Sequence, residues 1–231
     1  MASRILDNLS QVRGRIAAAA ERSGRTADAI TLVAVTKYSN AATARALVEA
    51  GCADLGEARP QELWQKAAEL ADLGVRWHLI GHLQRNKLER TLPLVALVHS
   101  ADSWRLVEAL DAGAAQLGRR VPILLEVNIS GDVAKHGFRP EELEPRLEAL
   151  AGLAHLDVRG LMGMSGLESD VDTTRREFAA LRGLGERLRG ASAGRLTLPE
   201  LSMGMSGDFE AAIEEGATIV RVGSALVEGV E

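Results

Sequence analysis

The chain has 231 residues, of which 46% are hydrophobic and 26% charged, and its formal net charge is −5. This composition is typical of a globular protein, and an acidic balance without a basic stretch argues against nucleic acid as the main partner. A single cysteine excludes an intrachain disulfide, and no apolar run reaches the roughly 18 residues of a membrane span. We therefore expect one domain over residues 1–231, monomeric, cytoplasmic and not attached to a membrane.

Strand-like and helix-like segments alternate along the chain with short connections. A leading amphipathic helix is predicted over residues 1–24. The predicted strands cover 31–36, 52–56, 76–80, 94–99, 122–128, 155–161, 196–201 and 218–222. The predicted helices between and after them cover 41–50, 60–72, 84–91, 102–117 (with Asp102 as the cap), 140–151, 172–189, 208–215 and 224–229.

Eight strand–helix units without a break in composition indicate a parallel sheet with right-handed crossovers. The number of units and the chain length favour a closed (β/α)8 TIM barrel with an additional N-terminal helix. An open doubly wound sheet is the alternative, but it usually carries a glycine-rich turn after the first strand. Residues 37–40 occupy that position here and contain no glycine.

Lys37 follows the first predicted strand, and active sites of α/β barrels collect at the carboxyl ends of strands. The chain holds 23 arginines but only four lysines, so a lysine at this position suggests a requirement for an amine. A desolvated lysine can lose its proton and form a Schiff base, which an arginine cannot do. The alternative is a lysine that merely extends to solvent at the barrel rim.

The loops after strands seven and eight have the small and hydroxyl-bearing residues of a phosphate site. Ser206 lies in the first loop, and Gly223 and Ser224 lie in the second. Arg221 ends strand eight, where it either faces a ligand or forms a salt bridge with Glu200. Both loops could instead be ordinary turns with capping residues.

Three further positions lie near predicted strand ends. Asn128 could hydrogen-bond a ring substituent of a ligand, and Met162 could pack on an aromatic ring or belong to the core. His78 and His82 do not share a helical face, so no metal site is predicted, and His78 is expected to be a hydrogen-bonded barrel residue. A lysine opposite a phosphate site suggests a phosphorylated aldehyde, and pyridoxal 5′-phosphate (PLP) is the candidate cofactor.

The sequence resembles the pyridoxal phosphate homeostasis proteins, also called the YggS or PROSC family. The resemblance covers nearly the whole chain, with its motifs in the family's order. The motifs that carry it are Val33-Ala34-Val35-Thr36-Lys37, Gly56-Glu57, His78 to Lys87, Val127-Asn128-Ile129, Gly160-Leu161-Met162, Leu201 to Ser206 and Arg221-Val222-Gly223.

The resemblance implies a fold similar to the alanine racemase N-terminal domain. It also implies that Lys37 holds PLP as a Schiff base, that Ser206, Gly223 and Ser224 hold the phosphate, and that Arg221 faces the pyridine nitrogen. Family members are regarded as carriers or regulators of PLP without established catalysis, with PLP-requiring apo-enzymes as candidate partners. One departure is Ala58, where the family usually has asparagine.

Three functions are consistent with a lysine at this position. The first is a non-catalytic PLP-binding homeostasis protein, which the resemblance favours. The second is a PLP-dependent enzyme similar to an amino-acid racemase, and the third is a Schiff-base aldolase without a cofactor. A racemase needs a second acid–base group, and the single tyrosine, Tyr38, is expected to point away from Lys37 by strand alternation. An aldolase needs a second lysine or a carboxylate, for which Glu57 is a candidate.

Overall fold

The computed structural model of the chain describes residues 2–132, 134–166 and 169–230. Within these ranges eight parallel strands pair in chain order and close into a barrel, because the eighth strand pairs with the first. The predicted (β/α)8 barrel is confirmed, and the open doubly wound sheet is wrong. The strands are β1 Thr31–Val35, β2 Asp54–Glu57, β3 Arg76–Leu79, β4 Val95–Ala101, β5 Val121–Glu126, β6 Leu156–Met162, β7 Glu200–Ser202 and β8 Ile219–Val222.

Helices cover the outside of the barrel and occupy the connections between strands. None of those in the described ranges combines the length and the apolar character that a membrane crossing requires. The α-helices are α1 Ala2–Arg22, α2 Ala41–Glu49, α3 Pro60–Glu69, α4 Leu88–Thr91, α5 Trp104–Gln116, α6 Leu147–Ala151, α7 Val171–Ala191, α8 Phe209–Glu214 and α9 Ser224–Val227. Short 3₁₀ turns cover Ala27–Ala29, Ala71–Leu73, Arg85–Lys87, Pro140–Glu142 and Glu144–Arg146.

Helix α1 is the predicted N-terminal addition to the barrel, and it packs against the last units of the fold. Its buried apolar residues recur at helical spacing, as expected for one face against a core. The buried Asn8 side chain donates hydrogen bonds to the carbonyls of Leu226 and Glu228, at 3.2 and 2.9 Å. The helix thereby fixes the segment that follows β8.

Several predicted boundaries differ from the structure, and two of the larger differences depend on proline. The helix predicted over 140–151 is divided into two 3₁₀ turns and α6, because Pro145 lacks the N–H that a continuous helix requires. Strand seven begins only after Pro199, and Leu198 before it has a φ of 42°. Asp102 does not cap α5, since Ser103 occupies that position.

The interior of the barrel contains a small apolar cluster. The cluster consists of Val33, Leu97, Leu124, Met162 and Ile219, each contributed by a different strand. Alternation along a strand directs every second residue to the same face. Val35 therefore lies on the same face as Val33, and both Val35 and Lys37 line the carboxyl-terminal mouth of the barrel.

Candidate functional site at the barrel mouth

A cavity of about 500 Å³ opens at the carboxyl ends of β1, β7 and β8. Five of the predicted site residues line it: Lys37, Ser206, Arg221, Gly223 and Ser224. They come from the first and the last two units of the barrel, which the closure of the sheet makes neighbours. The cavity therefore combines an amine, an arginine and two hydroxyl-bearing loops.

Lys37 lies two residues beyond β1, where the chain has entered a turn, and its side chain is exposed. Its Nζ atom lies 5.0 Å from the centroid of the Tyr38 ring, and Tyr38 also lines the cavity. The expectation that Tyr38 points away from Lys37 is therefore wrong. Strand alternation no longer applies in a turn, so consecutive side chains can reach the same rim.

The backbone before Lys37 is held by a buried ion pair. Lys66 on α3 donates to the Thr36 carbonyl at 2.7 Å and to Glu57 Oε1 at 2.5 Å, and the Thr36 hydroxyl donates to the same carboxylate oxygen at 2.6 Å. Glu57 and Lys66 are 0% and 4% exposed. They thus bond to each other and to Thr36, the residue directly before Lys37.

Sequence reasoning assigned Lys66 no role in the site. The scarcity of lysine was the available signal, because a lysine on the buried face of a helix needs a partner. Glu57, considered above as an aldolase carboxylate, is that partner.

The two loops predicted to bind phosphate contact each other. Ser206 Oγ, in the loop after β7, accepts hydrogen bonds from the backbone N–H groups of Gly223 and Ala225, at 3.1 and 3.5 Å. A Cβ added at Gly223 would lie 3.3 Å from the Val35 carbonyl and side chain, so the loop approaches β1 closely. Hydroxyls and backbone N–H groups therefore converge on one side of the cavity.

Arg221 lies at the floor of the cavity and is 4% exposed. One terminal nitrogen donates to the carbonyl and the hydroxyl of Ser202, at 2.7 and 2.6 Å, and the other donates to the Gly163 carbonyl at 3.0 Å. The alternative salt bridge with Glu200 is wrong, because Glu200 pairs with Arg159 on the outside of the barrel. Burial lowers the pKa of Arg221 to about 10, so the guanidinium stays charged at neutral pH.

Two predicted site residues lie outside the lining of the cavity. The Asn128 amide donates to the Asp132 carbonyl at 2.7 Å, and its oxygen accepts from Ser130 at 3.3 Å. Met162 is 1% exposed and belongs to the apolar cluster inside the barrel, whereas Met164 lines the cavity. Contact of Asn128 and Met162 with a ligand stays a prediction.

A second group of titratable residues lies at the mouth beside β4 and β5. His82 Nδ1 lies 2.6 Å from Asp102 Oδ2, and the His82 ring stacks on His136 with an angle of 19° between the planes. The ligand atoms of His82, Asp102 and His136 lie within 4.8 Å of one another, a spacing that could hold a metal ion, so the absence of a metal site stays a prediction. Buried Glu126 is nearby, and desolvation together with Asp102 raises its pKa to about 7.

Comparison with known proteins identifies the family. Residues 8–229 match the family described as alanine racemase, N-terminal domain. The chain is 41% identical to the pyridoxal phosphate homeostasis protein of Pseudomonas aeruginosa, over 97% of this chain and 95% of that protein. It is 38% identical to the protein of that name from Aquifex aeolicus, over 95% and 96%. The chain belongs to the pyridoxal phosphate homeostasis protein family.

Solved structures agree with this assignment. PipY of Synechococcus elongatus, solved with PLP bound, is 37% identical, with a TM-score of 0.87 over 96% of this chain and 99% of that chain. An alanine racemase from Corynebacterium glutamicum is 18% identical, with a TM-score of 0.69 over 98% of this chain and 63% of that chain. The second likeness is one of fold alone.

Ala58, the departure from the residue expected in a pyridoxal phosphate homeostasis protein, is half-buried and borders the cavity. We expect Ala58→Asn to fold normally and to bind PLP as tightly as the unmodified chain or more tightly, since the amide can reach the cavity. Titration of the ligand-free protein with PLP measures the effect. Ala58→Leu is the matched control, because it adds similar volume without an amide, and it should not improve binding. A large loss of affinity in Ala58→Asn alone would contradict the prediction.

Proposed function

We propose that this chain binds PLP through Lys37 and serves as a carrier or regulator in PLP homeostasis, without efficient catalysis of its own. The observation that carries the proposal is the shared cavity of Lys37, Arg221 and the two serine-bearing loops. The named relatives and the PLP-bound PipY structure support the same cofactor.

The donor set fits the chemical groups of PLP. When bound, the cofactor supplies an aldehyde that condenses with a lysine amine to a Schiff base, with loss of water. Lys37 supplies the amine at the rim. Ser206, Gly223 and Ser224 supply the hydroxyls and backbone N–H groups for the phosphate, and Arg221 places a fixed charge at the floor.

Arg221 also bears on the choice between carrier and enzyme. A carboxylate at the pyridine nitrogen would favour its protonation and make the ring a strong electron sink. A charged guanidinium disfavours that proton through like-charge repulsion. This arrangement weakens the stabilisation of carbanions, which suits a protein that holds the cofactor and also a racemase that must limit side reactions.

A visible spectrum tests the proposal directly. Ligand-free protein titrated with PLP should gain a yellow absorption band that saturates at one equivalent, and borohydride should abolish the band. Pyridoxal 5′-phosphate in buffer with an equal concentration of lysine provides the control for unspecific condensation. A protein that gains no band and retains no PLP on gel filtration would refute the proposal.

A racemase-like enzyme is the alternative, and the position of Tyr38 beside Lys37 is the observation that favours it. Tyr38 is 89% exposed, so it is not held against a defined face of the cavity. Racemisation needs acid–base groups fixed on both faces of the substrate carbon. Tyr38 is therefore a candidate acid–base group for racemisation, but its position is not fixed.

We expect no efficient racemisation or decarboxylation of amino acids by the PLP-loaded protein. A positioned acid–base group typically contributes about 10²–10⁴-fold in rate, and an exposed Tyr38 lacks that positioning. Turnover of L-alanine and other L-amino acids is the assay, with Tyr38→Phe as the matched variant. A kcat in the ordinary range of roughly 1–10³ s⁻¹, lost in Tyr38→Phe, would establish the enzyme instead.

We also propose that the protein acts as a monomer in the cytoplasm and delivers PLP to other proteins. A protein that holds PLP reversibly at an open rim can release it to PLP-requiring apo-enzymes, which are the proposed partners. A monomer in the cytoplasm is the simplest form of such a carrier.

A further inference from the structure

A continuous chain of hydrogen bonds crosses the barrel interior and ends on Arg221. His78 Nε2 lies 3.0 Å from Asp54 Oδ1, and His78 Nδ1 lies 2.8 Å from His99 Nε2. His99 Nδ1 lies 2.8 Å from Ser202 Oγ, which accepts from Arg221 at 2.6 Å. We call these five residues the polar relay. They come from β2, β3, β4, β7 and β8, and each is at most 9% exposed.

The two ends of the polar relay have opposite charges. Burial alone would raise the pKa of Asp54, but hydrogen bonds from His78 and Arg76 outweigh it and lower the pKa to about 2. Asp54 is therefore an anion that only accepts hydrogen bonds. Arg221, at the other end, is a cation that only donates them.

These fixed ends determine the direction of every bond between them. Because Arg221 donates to Ser202 Oγ, the serine hydroxyl is free to donate its own proton to His99 Nδ1. His99 then carries its proton on Nε2 and donates to His78 Nδ1. His78 in turn carries its proton on Nε2 and donates to Asp54. With both histidines neutral, each of the four contacts has one donor and one acceptor only if both rings are Nε2–H tautomers.

The protonation of His99 agrees with this direction. Burial, together with His78 and Arg221, lowers the pKa of His99 well below its usual value, so its ring is neutral. The reverse direction would place the His99 proton on Nδ1 and would require a doubly protonated His78 to supply the bond between the rings. Arg76 already pairs with Asp54 through both carboxylate oxygens, so a doubly protonated His78 would add a second cation to the same carboxylate in the buried interior, which is costly.

The far end of the polar relay lies at the opposite face of the barrel. Asp54 and Arg76 border a cleft of about 480 Å³ at the amino ends of the strands, together with Arg13 and Cys52. Arg76 pairs with Asp54 there through both carboxylate oxygens. Arg76 thus holds the Asp54 carboxylate at the amino-terminal face of the barrel, and the same carboxylate orients His78 in the interior.

We propose that Asp54, His78, His99 and Ser202 are positioning residues for Arg221, and that they orient its guanidinium toward the ring nitrogen of the bound ligand. A buried guanidinium with several possible acceptors has one defined orientation only if each acceptor is itself fixed. Ser202 Oγ is fixed by its donation to His99, and His99 is fixed through His78 by Asp54. The orientation of Arg221 toward the ring nitrogen rests on the proposed function, whereas the direction of the hydrogen bonds in the polar relay does not.

The direction is tested first on ligand-free protein. Two-bond ¹H–¹⁵N correlation spectra of protein labelled with ¹⁵N-histidine report which ring nitrogen carries the proton. We expect neutral Nε2–H tautomers for His78 and His99, assigned with the variants His78→Gln and His99→Gln. An Nδ1–H tautomer or a doubly protonated ring at either position would refute the relay, whether or not the protein binds PLP.

The positioning role is tested by Ser202→Ala, with two ligands. The affinity for PLP should fall about tenfold, as for the loss of one hydrogen bond to a charged group. The affinity for 1-deaza-PLP, in which a C–H replaces the ring nitrogen, should not change. Ser202→Thr, which restores the hydroxyl, should recover PLP binding.

Ser100→Ala is the matched control, because Ser100 is a fully buried barrel serine that bonds to the Gly81 carbonyl outside the polar relay. It should leave both affinities unchanged. Equal loss of PLP and 1-deaza-PLP in Ser202→Ala, or no loss of either, would overturn the positioning role. Failure of the unmodified chain to bind PLP would refute the proposed function while leaving the tautomer result intact.

Discussion

Lys37→Ala should abolish covalent retention of PLP completely. Lys37 is the lysine that lines the cavity, and the three remaining lysines lie elsewhere in the chain. Lys66 is buried in its pair with Glu57, and Lys135 donates to Ser130 and to the Ser165 carbonyl. Borohydride reduction of the PLP-loaded protein, followed by peptide mapping, should place the label on Lys37 alone.

Lys87→Ala and Lys135→Ala are the controls for this result. Both variants should retain the full label, because neither removes the amine at the end of β1. A label that persists in Lys37→Ala, or that maps to Lys87 or Lys135 in the unmodified chain, would contradict the assignment. Melting curves of each variant establish that the barrel is folded.

The double variant Ser206→Ala, Ser224→Ala should lose PLP far more than it loses pyridoxal, which lacks the phosphate. Each hydrogen bond to a charged group contributes about 1.5–3 kcal/mol, so each serine that contacts the phosphate accounts for about 10- to 100-fold in affinity. Equilibrium titration of ligand-free protein with the two compounds measures the difference. The expected outcome is a selective loss of the phosphorylated ligand.

Ser206 also has a structural role, because its oxygen accepts hydrogen bonds from the loop after β8. The comparison with pyridoxal separates this role from phosphate binding, since a distorted loop would weaken both ligands. Ser10→Ala supplies an unrelated exposed serine on α1 as control. Equal losses for PLP and pyridoxal would show that the two serines do not contact the phosphate.

The sequence was sufficient to predict the barrel and the composition of its mouth. Eight apolar strand patterns separated by helical ones predict parallel pairing, and the carboxyl end of each strand then defines where side chains meet. Lys37, Arg221 and the loop serines were found in this way because each lies near the carboxyl end of a strand or in the loop after it. The local rules that place them depend only on neighbouring residues.

The contacts inside the barrel could not be predicted in the same way. The polar relay joins five strands, and its residues are connected only after the sheet has closed with a particular register. His78 was expected to be hydrogen-bonded, but nothing in the sequence identifies His99 or Ser202 as partners. Tyr38 was misjudged because strand alternation was extended into a turn.

Because β1 pairs with β8, the residues of the ligand site come together only when the barrel is closed. Thr31 donates its backbone N–H to the Thr218 carbonyl at 2.8 Å, and four residue pairs join the two strands. Pairing segments so far apart in the chain costs conformational entropy for closing the long loop between them. A ligand held by residues next to both β1 and β8 binds only the form in which these strands are paired. By mass action it shifts the equilibrium between the open and closed barrel toward the closed form. The cofactor concentration would then set the fraction of molecules in which the first and last strands are paired, and with it the resistance of the chain to proteolysis.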